Sequence, residues 1–228
     1  MSGSEAWRES AQNRVSLLDA IVFAGGRGSR LGGRDKATLK LAGERLVDRA
    51  VDAARRSGAR RIVVVGPNHA IPADCIGARE DPPFGGPLAA LVAGLRALEP
   101  SGSDSEVLLL SCDLVQPAAV VELLAAAVRD NKAGNGPPAE EPPDAHVLSD
   151  PDGRSQWLAG RYRLPALRDG VEALGGDVAG GRLRAALSGL RIRQIPAPAR
   201  AVADIDTPED LARAIAAEEI DLRRPEPL

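Results

Sequence analysis

Aromatic side chains are scarce in this 228-residue chain, which has two tryptophans, two phenylalanines and one tyrosine. So few rings cannot furnish the rows of stacking surfaces that hold single-stranded nucleic acid. A formal net charge of −3 offers no cationic surplus to neutralise a phosphate backbone either. Only two histidines occur, His69 and His146, which leaves little room for a zinc cage or a histidine-based triad. Cys75 and Cys112 stand far apart, in neither metal-ligand nor redox spacing, and are expected to be reduced thiols. No apolar run approaches the ~18 residues of a membrane span. The opening MSGSEAWRESAQNRVSL lacks the apolar middle of a secretion signal. A cytoplasmic protein with neither nucleic acid nor membrane as partner is expected.

What is present reads as globular: 44% of residues are apolar and 27% charged, enough for one well-buried core at this length. Residues 1–17 read as a flexible leader, 18–219 as one domain and 220–228 as a frayed tail. Ala20-Ile21-Val22-Phe23 is an apolar strand that runs into a glycine-rich loop. Leu46, Val47, Ala50, Val51 and Ala54 recur at helical spacing, and Ser57-Gly58 ends that helix. Strands follow at Ile62–Val65 and Val107–Leu110, with helices over Leu88–Leu98 and Ala118–Val128. Residues 131–145, rich in Pro, Gly and Glu, read as a mobile loop within the domain. Further strands are expected near Ala145–Leu148 and Gln156–Tyr162, helical turns from about Leu164 to Leu190, and a final helix to about Glu219. Strands apolar throughout and alternating with helices indicate an α/β fold, a three-layer sandwich around a mostly parallel, Rossmann-like twisted sheet. Sites in such sheets gather beyond the carboxyl ends of the strands.

Three segments at those ends carry chemistry. The first is AGGRGSRLGGRDK, Ala24 to Lys36. Its glycines let backbone N–H groups approach an anion closely, and Arg27, Arg30, Arg34 and Lys36 add positive charge, so a polyphosphate is its natural ligand. It is neither a dinucleotide fingerprint, because Leu31 stands where a third glycine or alanine is needed, nor a P-loop, because Lys36 lies between Asp35 and Ala37. The second is Asp113, just past an apolar strand; a hard cation such as magnesium takes one or two carboxylates plus phosphate oxygens and water. The third is Asp204-Ile205-Asp206, whose two carboxylates share one face of an extended segment before a helix start at Thr207-Pro208. Asp81, in DPPFGGPL, reads on its own as turn punctuation.

The strand followed by AGGRGSRLGGRDK resembles the signature loop of the MobA-like nucleotidyltransferases, the molybdenum cofactor guanylyltransferases in particular, and the likeness extends over about residues 19–219. The resemblance implies a sheet of the nucleotide-diphospho-sugar transferase type. It assigns nucleotide binding to Phe23, Ala24, Gly25, Gly26, Lys36, Asp81 and Asp113, and catalysis to Arg30, Lys36 and Asp113. Magnesium falls to Asp113 and to Asp206, with Asp204 the alternative second ligand. Arg30 would offset charge on the leaving pyrophosphate. The hairpin before Trp157 would lie on the acceptor side, where Arg154 or Arg182 could meet the acceptor phosphate. Three departures stand out: Gly66 where the guanylyltransferases can have an asparagine, aspartates at 204 and 206 where some have asparagines, and Pro117 later after the Asp than usual.

The implied reaction is transfer of GMP from GTP to the phosphate of a molybdopterin-type acceptor, with release of pyrophosphate. Proteins of molybdenum cofactor biosynthesis, or those receiving the cofactor, would be its partners. A cytidylyltransferase or other small-acceptor transferase of the same superfamily is the alternative enzyme; a non-catalytic nucleotide-binding accessory protein is the alternative of another class.

Overall fold

The computed structural model describes residues 17–25, 35–98, 102, 104–132, 142–176 and 178–222. Most of the expected leader and tail, the glycine loop from Gly26 to Arg34, and 133–141 of the expected loop lie outside them. The strands in chain order are β1 (Leu18–Phe23), β2 (Lys40–Leu41), β3 (Glu44–Arg45), β4 (Ile62–Val65), β5 (Ile76–Ala78), β6 (Glu106–Ser111), β7 (Ala145–Ser149), β8 (Ser155–Arg163) and β9 (Ile192–Pro196). The helices are α1 (Leu46–Arg56), α2 (Gly86–Ala97), α3 (Pro117–Lys132), α4 (Leu164–Glu172), α5 (Leu183–Leu187) and α6 (Pro208–Leu222).

Seven strands form one sheet in the order β5-β4-β1-β6-β8-β7-β9, and β2 and β3 form a separate hairpin. β5, β4, β1 and β6 are mutually parallel. β8 runs antiparallel to both β6 and β7, and β9 is parallel to β7. The mostly parallel α/β sheet expected from the sequence is therefore what forms. Alternate residues of each central strand enter opposite cores, as the pleat demands. Ala20, Val22, Leu108 and Leu110 pack with α1 and α3, while Ile21, Phe23, Val107 and Leu109 pack with α2, α4 and α5. Leu108, Leu109 and Leu110 are fully buried, each worth about 1.5–3 kcal/mol relative to exposure. Gly94 lets α2 settle on the sheet, since a Cβ there would meet Ile21 Cγ2 at 2.8 Å. No helix among the described residues is long and apolar enough to cross a membrane.

Three elements differ from expectation. β5 is a three-residue strand with Ile76 and Gly77 exposed, too short and too open to carry an apolar pattern. β9 reads IRQIP, two adjacent polar residues between half-buried isoleucines at the sheet margin, a pattern with no period-two alternation to mark it as a strand. The helical stretch after Leu164 is two helices, because Gly175, Gly176 and Gly180 take positive φ values of 70°, 109° and 71° that only glycine adopts readily.

Two charged features hold the margins. His146 on β7 is buried, opposite Arg161 of β8 and Arg193 of β9, and its Nε2 has no partner. Burial, then the Arg193 charge, lower its pKa below the ordinary 6.5, with Glu106 opposing weakly. At the start of α6, Thr207 Oγ1 accepts from Asp210 N at 3.1 Å, while Asp210 Oδ2 accepts from Thr207 N at 2.8 Å and Asp206 N at 3.2 Å. This reciprocal cap satisfies backbone donors that the first helical turn leaves free.

Both features give measurable expectations. The folded chain favours neutral His146 while the unfolded chain protonates below its ordinary pKa, so stability falls as pH drops through that value. In urea titrations the wild type should lose more stability between about pH 7.5 and pH 5.5 than His146→Gln does; parallel losses would refute this. Asp210→Ala should cost about 0.5–2 kcal/mol of unfolding free energy, as other lost caps do, and an unchanged urea midpoint would refute it.

Candidate active site

Phe23, Val65 and Ser111 end β1, β4 and β6 in register, at one carboxyl edge of the sheet. The chain leaves β1 pinned there: Ala24 N donates to Val65 O at 2.8 Å, and Cys112 N donates to Phe23 O at 3.0 Å. The glycine loop thus springs from the middle of the edge, flanked by β4 and β6. Gly26 and Arg30, assigned to it by resemblance, lie outside the described residues. Gly66 has a tight neighbour, since a Cβ there would lie 3.0 Å from the carbonyl carbon and oxygen of Ala24. The two backbones pass closely here, so any side chain at 66 would require the Ala24 segment to shift by a few tenths of an ångström.

Beyond the glycine loop the chain returns through a short 3-10 turn, Lys36–Thr38, whose start is capped by Asp35 Oδ1 accepting from Ala37 N at 3.1 Å. Asp35 Oδ2 also lies 2.5 Å from His69 Nε2. The turn aims Lys36 inward. Its Nζ donates to Asp113 Oδ2 at 2.6 Å and to Asp206 Oδ1. Lys36 and Asp113 are only 15% and 14% exposed, Asp206 43%. Burial pulls the Lys36 pKa down, but Asp113 and then Asp206 outweigh it and hold that pKa above the ordinary lysine value. Lys36 therefore stays charged at every pH at which the protein would be handled.

Residues this distant in sequence meet because two loops are laced together by backbone. Val115 N donates to Ala203 O at 2.9 Å, Ile205 N donates to Asp113 O at 3.0 Å, and Leu114 pairs antiparallel with Asp204. Ile205 anchors the lacing in a small core with Leu41, Leu46 and Ala214. The late proline follows from this arrangement. Residues 114 and 115 are spent on the ladder, where a proline at 115 would lack the N–H that Ala203 receives, and Pro117 instead opens α3.

Asp113 and Asp206 share the Lys36 ammonium, and Asp204 stands within electrostatic reach of all three. Burial, then Asp206 and Asp113, raise the Asp204 pKa against the opposing pull of Lys36. Burial and the neighbouring Asp113 likewise push up the Cys112 thiol, which argues against a thiolate nucleophile. Among the described residues no three or more His, Cys, Asp or Glu side chains form a complete metal cage. Two carboxylates that already share one cation fit a magnesium ion that draws its remaining ligands from phosphate and water.

A cleft of about 370 Å³ opens along the same edge, lined in part by Phe23, Gly25, Phe84, Ser111 and Leu158. At its wall stands Glu80, which is 8% exposed and accepts from Phe84 N at 3.2 Å. Of the residues singled out in the sequence, Lys36, Asp113 and Asp206 meet one another, and Phe23 and Gly25 line the adjoining cleft. Asp81 is exposed beside Glu80 and does not line it. Arg154 is exposed in the β7–β8 hairpin against Asp152, and Arg182 is exposed at the start of α5. Sequence reading passed over Glu80, although period-two continuation from the inward-facing Ala78 points it inward.

The family model described as MobA-like NTP transferase domain matches residues 20–194. A Mycobacterium bovis protein named "Probable molybdenum cofactor guanylyltransferase" is 35% identical over 182 residues, 78% of this chain and 82% of its own length. The molybdenum cofactor guanylyltransferase of Pseudomonas entomophila is 32% identical over 124 residues, 52% of this chain; the match spans only 63% of that relative's length. Among solved structures, a nucleotidyl transferase from Methanothermobacter superposes with a TM-score of 0.63 at 20% identity, covering 90% of this chain and 99% of its own. The 2-C-methyl-D-erythritol 4-phosphate cytidylyltransferase of Thermus thermophilus gives 0.58 at 19% identity, covering 89% and 99%. These structural likenesses establish the nucleotidyltransferase fold. With the family model spanning well over half of the sequence on that fold, the chain belongs to the MobA-like NTP transferase domain family.

Proposed function

We propose that this chain transfers GMP from GTP to the phosphate of a molybdopterin-type acceptor and releases pyrophosphate. The observation that carries the reading is the Lys36 ammonium held between Asp113 and Asp206 at the carboxyl edge from which the glycine loop departs. That edge is where an α/β sheet of this kind binds ligands. An acceptor phosphate oxygen attacks the α-phosphorus of the triphosphate, and the bond from that phosphorus to the bridging oxygen of the β-phosphate breaks in line. The acceptor is already an anion, so no general base is needed and the scarcity of histidine is no obstacle.

The barrier is the mutual repulsion of two anions. Lys36 and Arg30 offset the charge that builds on the departing pyrophosphate, and the glycine segment that follows β1 supplies backbone N–H groups to it. Asp113 and Asp206 are the residues that would hold magnesium. The bound ion would neutralise phosphate oxygens and polarise the α-phosphorus as a Lewis acid. Support comes from the guanylyltransferase names of the relatives and from the meeting of the paired carboxylates with Lys36.

A cytidylyltransferase is the second reading. Aspartates rather than asparagines at 204 and 206 favour it. Thermal-shift titration with GTP and with CTP, each with magnesium, separates the two; stabilisation by CTP alone would overturn the first.

Lys36→Ala and Asp113→Ala should each slow pyrophosphate release by about 10²–10³-fold, the effect of removing one preorganised charge-stabilising group, with native circular dichroism retained. Turnover equal to wild type in either well-folded variant would remove the site assignment.

A further inference from the structure

The mouth of the cleft offers mostly apolar walls and one buried acid. Phe23, Leu158 and half-exposed Phe84 give flat or apolar surface, suited to the face of a heteroaromatic ring. Glu80 lies among them. Among the described residues it accepts from Phe84 N, which leaves acceptor capacity on a carboxylate with about four acceptor sites. Gly25 leaves space beside the carboxylate that a side chain would fill, since a Cβ there would already touch Glu80 Oε1 at 3.5 Å and Oε2 at 3.9 Å. Ser111 joins the cleft to the charged cluster, for it lines the cleft and stands two residues before Asp113. A nucleotide with its phosphates at Lys36 would thus have its base within reach of this pocket.

A carboxylate has only acceptors to offer, so it selects a ring edge that presents donors side by side. The 2-amino-oxopyrimidine edge of guanine does so, with a ring N–H next to an exocyclic amino group. Adenine and cytosine place an acceptor nitrogen beside their amino group, and uracil flanks its single N–H with two carbonyl acceptors. Resting on the nucleotide-binding reading above, we propose that Glu80 is the specificity-determining residue that reads this edge. The same edge occurs on a pterin, so the two sources share one chemistry. The adjoining Gly25, first of the glycines after β1, places guanine there.

The test compares binding of GTP, of ITP (which lacks the 2-amino group) and of pterin-6-carboxylate to the full chain by calorimetry. Wild type and Glu80→Gln are measured side by side, with urea midpoints as the folding check. Glutamine can still accept from Phe84 N, but it then turns a donor toward the ring. Wild type should favour GTP over ITP by about tenfold or more, and Glu80→Gln should weaken GTP by about 10–100-fold and bring the two nucleotides close together. Loss of pterin binding with the GTP-to-ITP ratio untouched would support the same edge reading while moving its source to the acceptor. Should Glu80 only brace the Phe84 turn, all three ligands would shift together or not at all, which overturns the inference. If the variant does not fold, a wild-type GTP-to-ITP ratio near one, with pterin unbound, overturns it equally. GTP bound without discrimination sinks the role of Glu80 alone, whereas CTP bound in place of GTP sinks the nucleotide assignment beneath it.

Discussion

The site depends on a short backbone ladder between residues 113–115 and 203–205. Asp113 follows the central strand β6, whereas Asp206 belongs to the segment that enters the last helix, so no local preference brings them together. Two hydrogen bonds and the burial of Ile205 do. Once the loops are laced, the Asp210 cap holds Asp206 at the helix entrance, and Lys36 arrives from a third element. Carboxylates brought this close repel unless a cation intervenes; Lys36 is that cation in this structure.

Partial burial sets the strength of the arrangement. Lys36 and Asp113 are both largely shielded from water, where charge interactions are screened less than on the surface. Burial first, and then the Asp206 and Asp113 charges, raise the Asp204 pKa against the opposing pull of Lys36.

The two halves of the sheet do different work. The parallel half, β5-β4-β1-β6, lines up carboxyl ends and so concentrates loops, the glycine segment among them, on one edge. The antiparallel β8 brings Leu158 to the same edge and closes one wall of the cleft. The cleft and the Lys36 ion-pair cluster thus adjoin at one edge of the sheet. Gly66 and Gly94 show how tight the frame is, one against the loop leaving β1 and the other against the sheet.

Much of this was legible in the sequence, because it depends on short-range pattern. Apolar runs such as IVVV and VLLL can only be buried strands, glycines beside arginines at a strand end bind anions, and Thr-Pro-Glu-Asp starts a helix. Those features determined the α/β class, most element boundaries and the candidate roles of Lys36, Asp113 and Asp206. Tertiary structure alone decided which of these residues touch. It paired loops about ninety residues apart, left Asp81 outside while drawing Glu80 in, and added the margin strands β5 and β9. Contacts of that range depend on packing and strand order, and a short edge strand carries too little hydrophobic signal to announce itself.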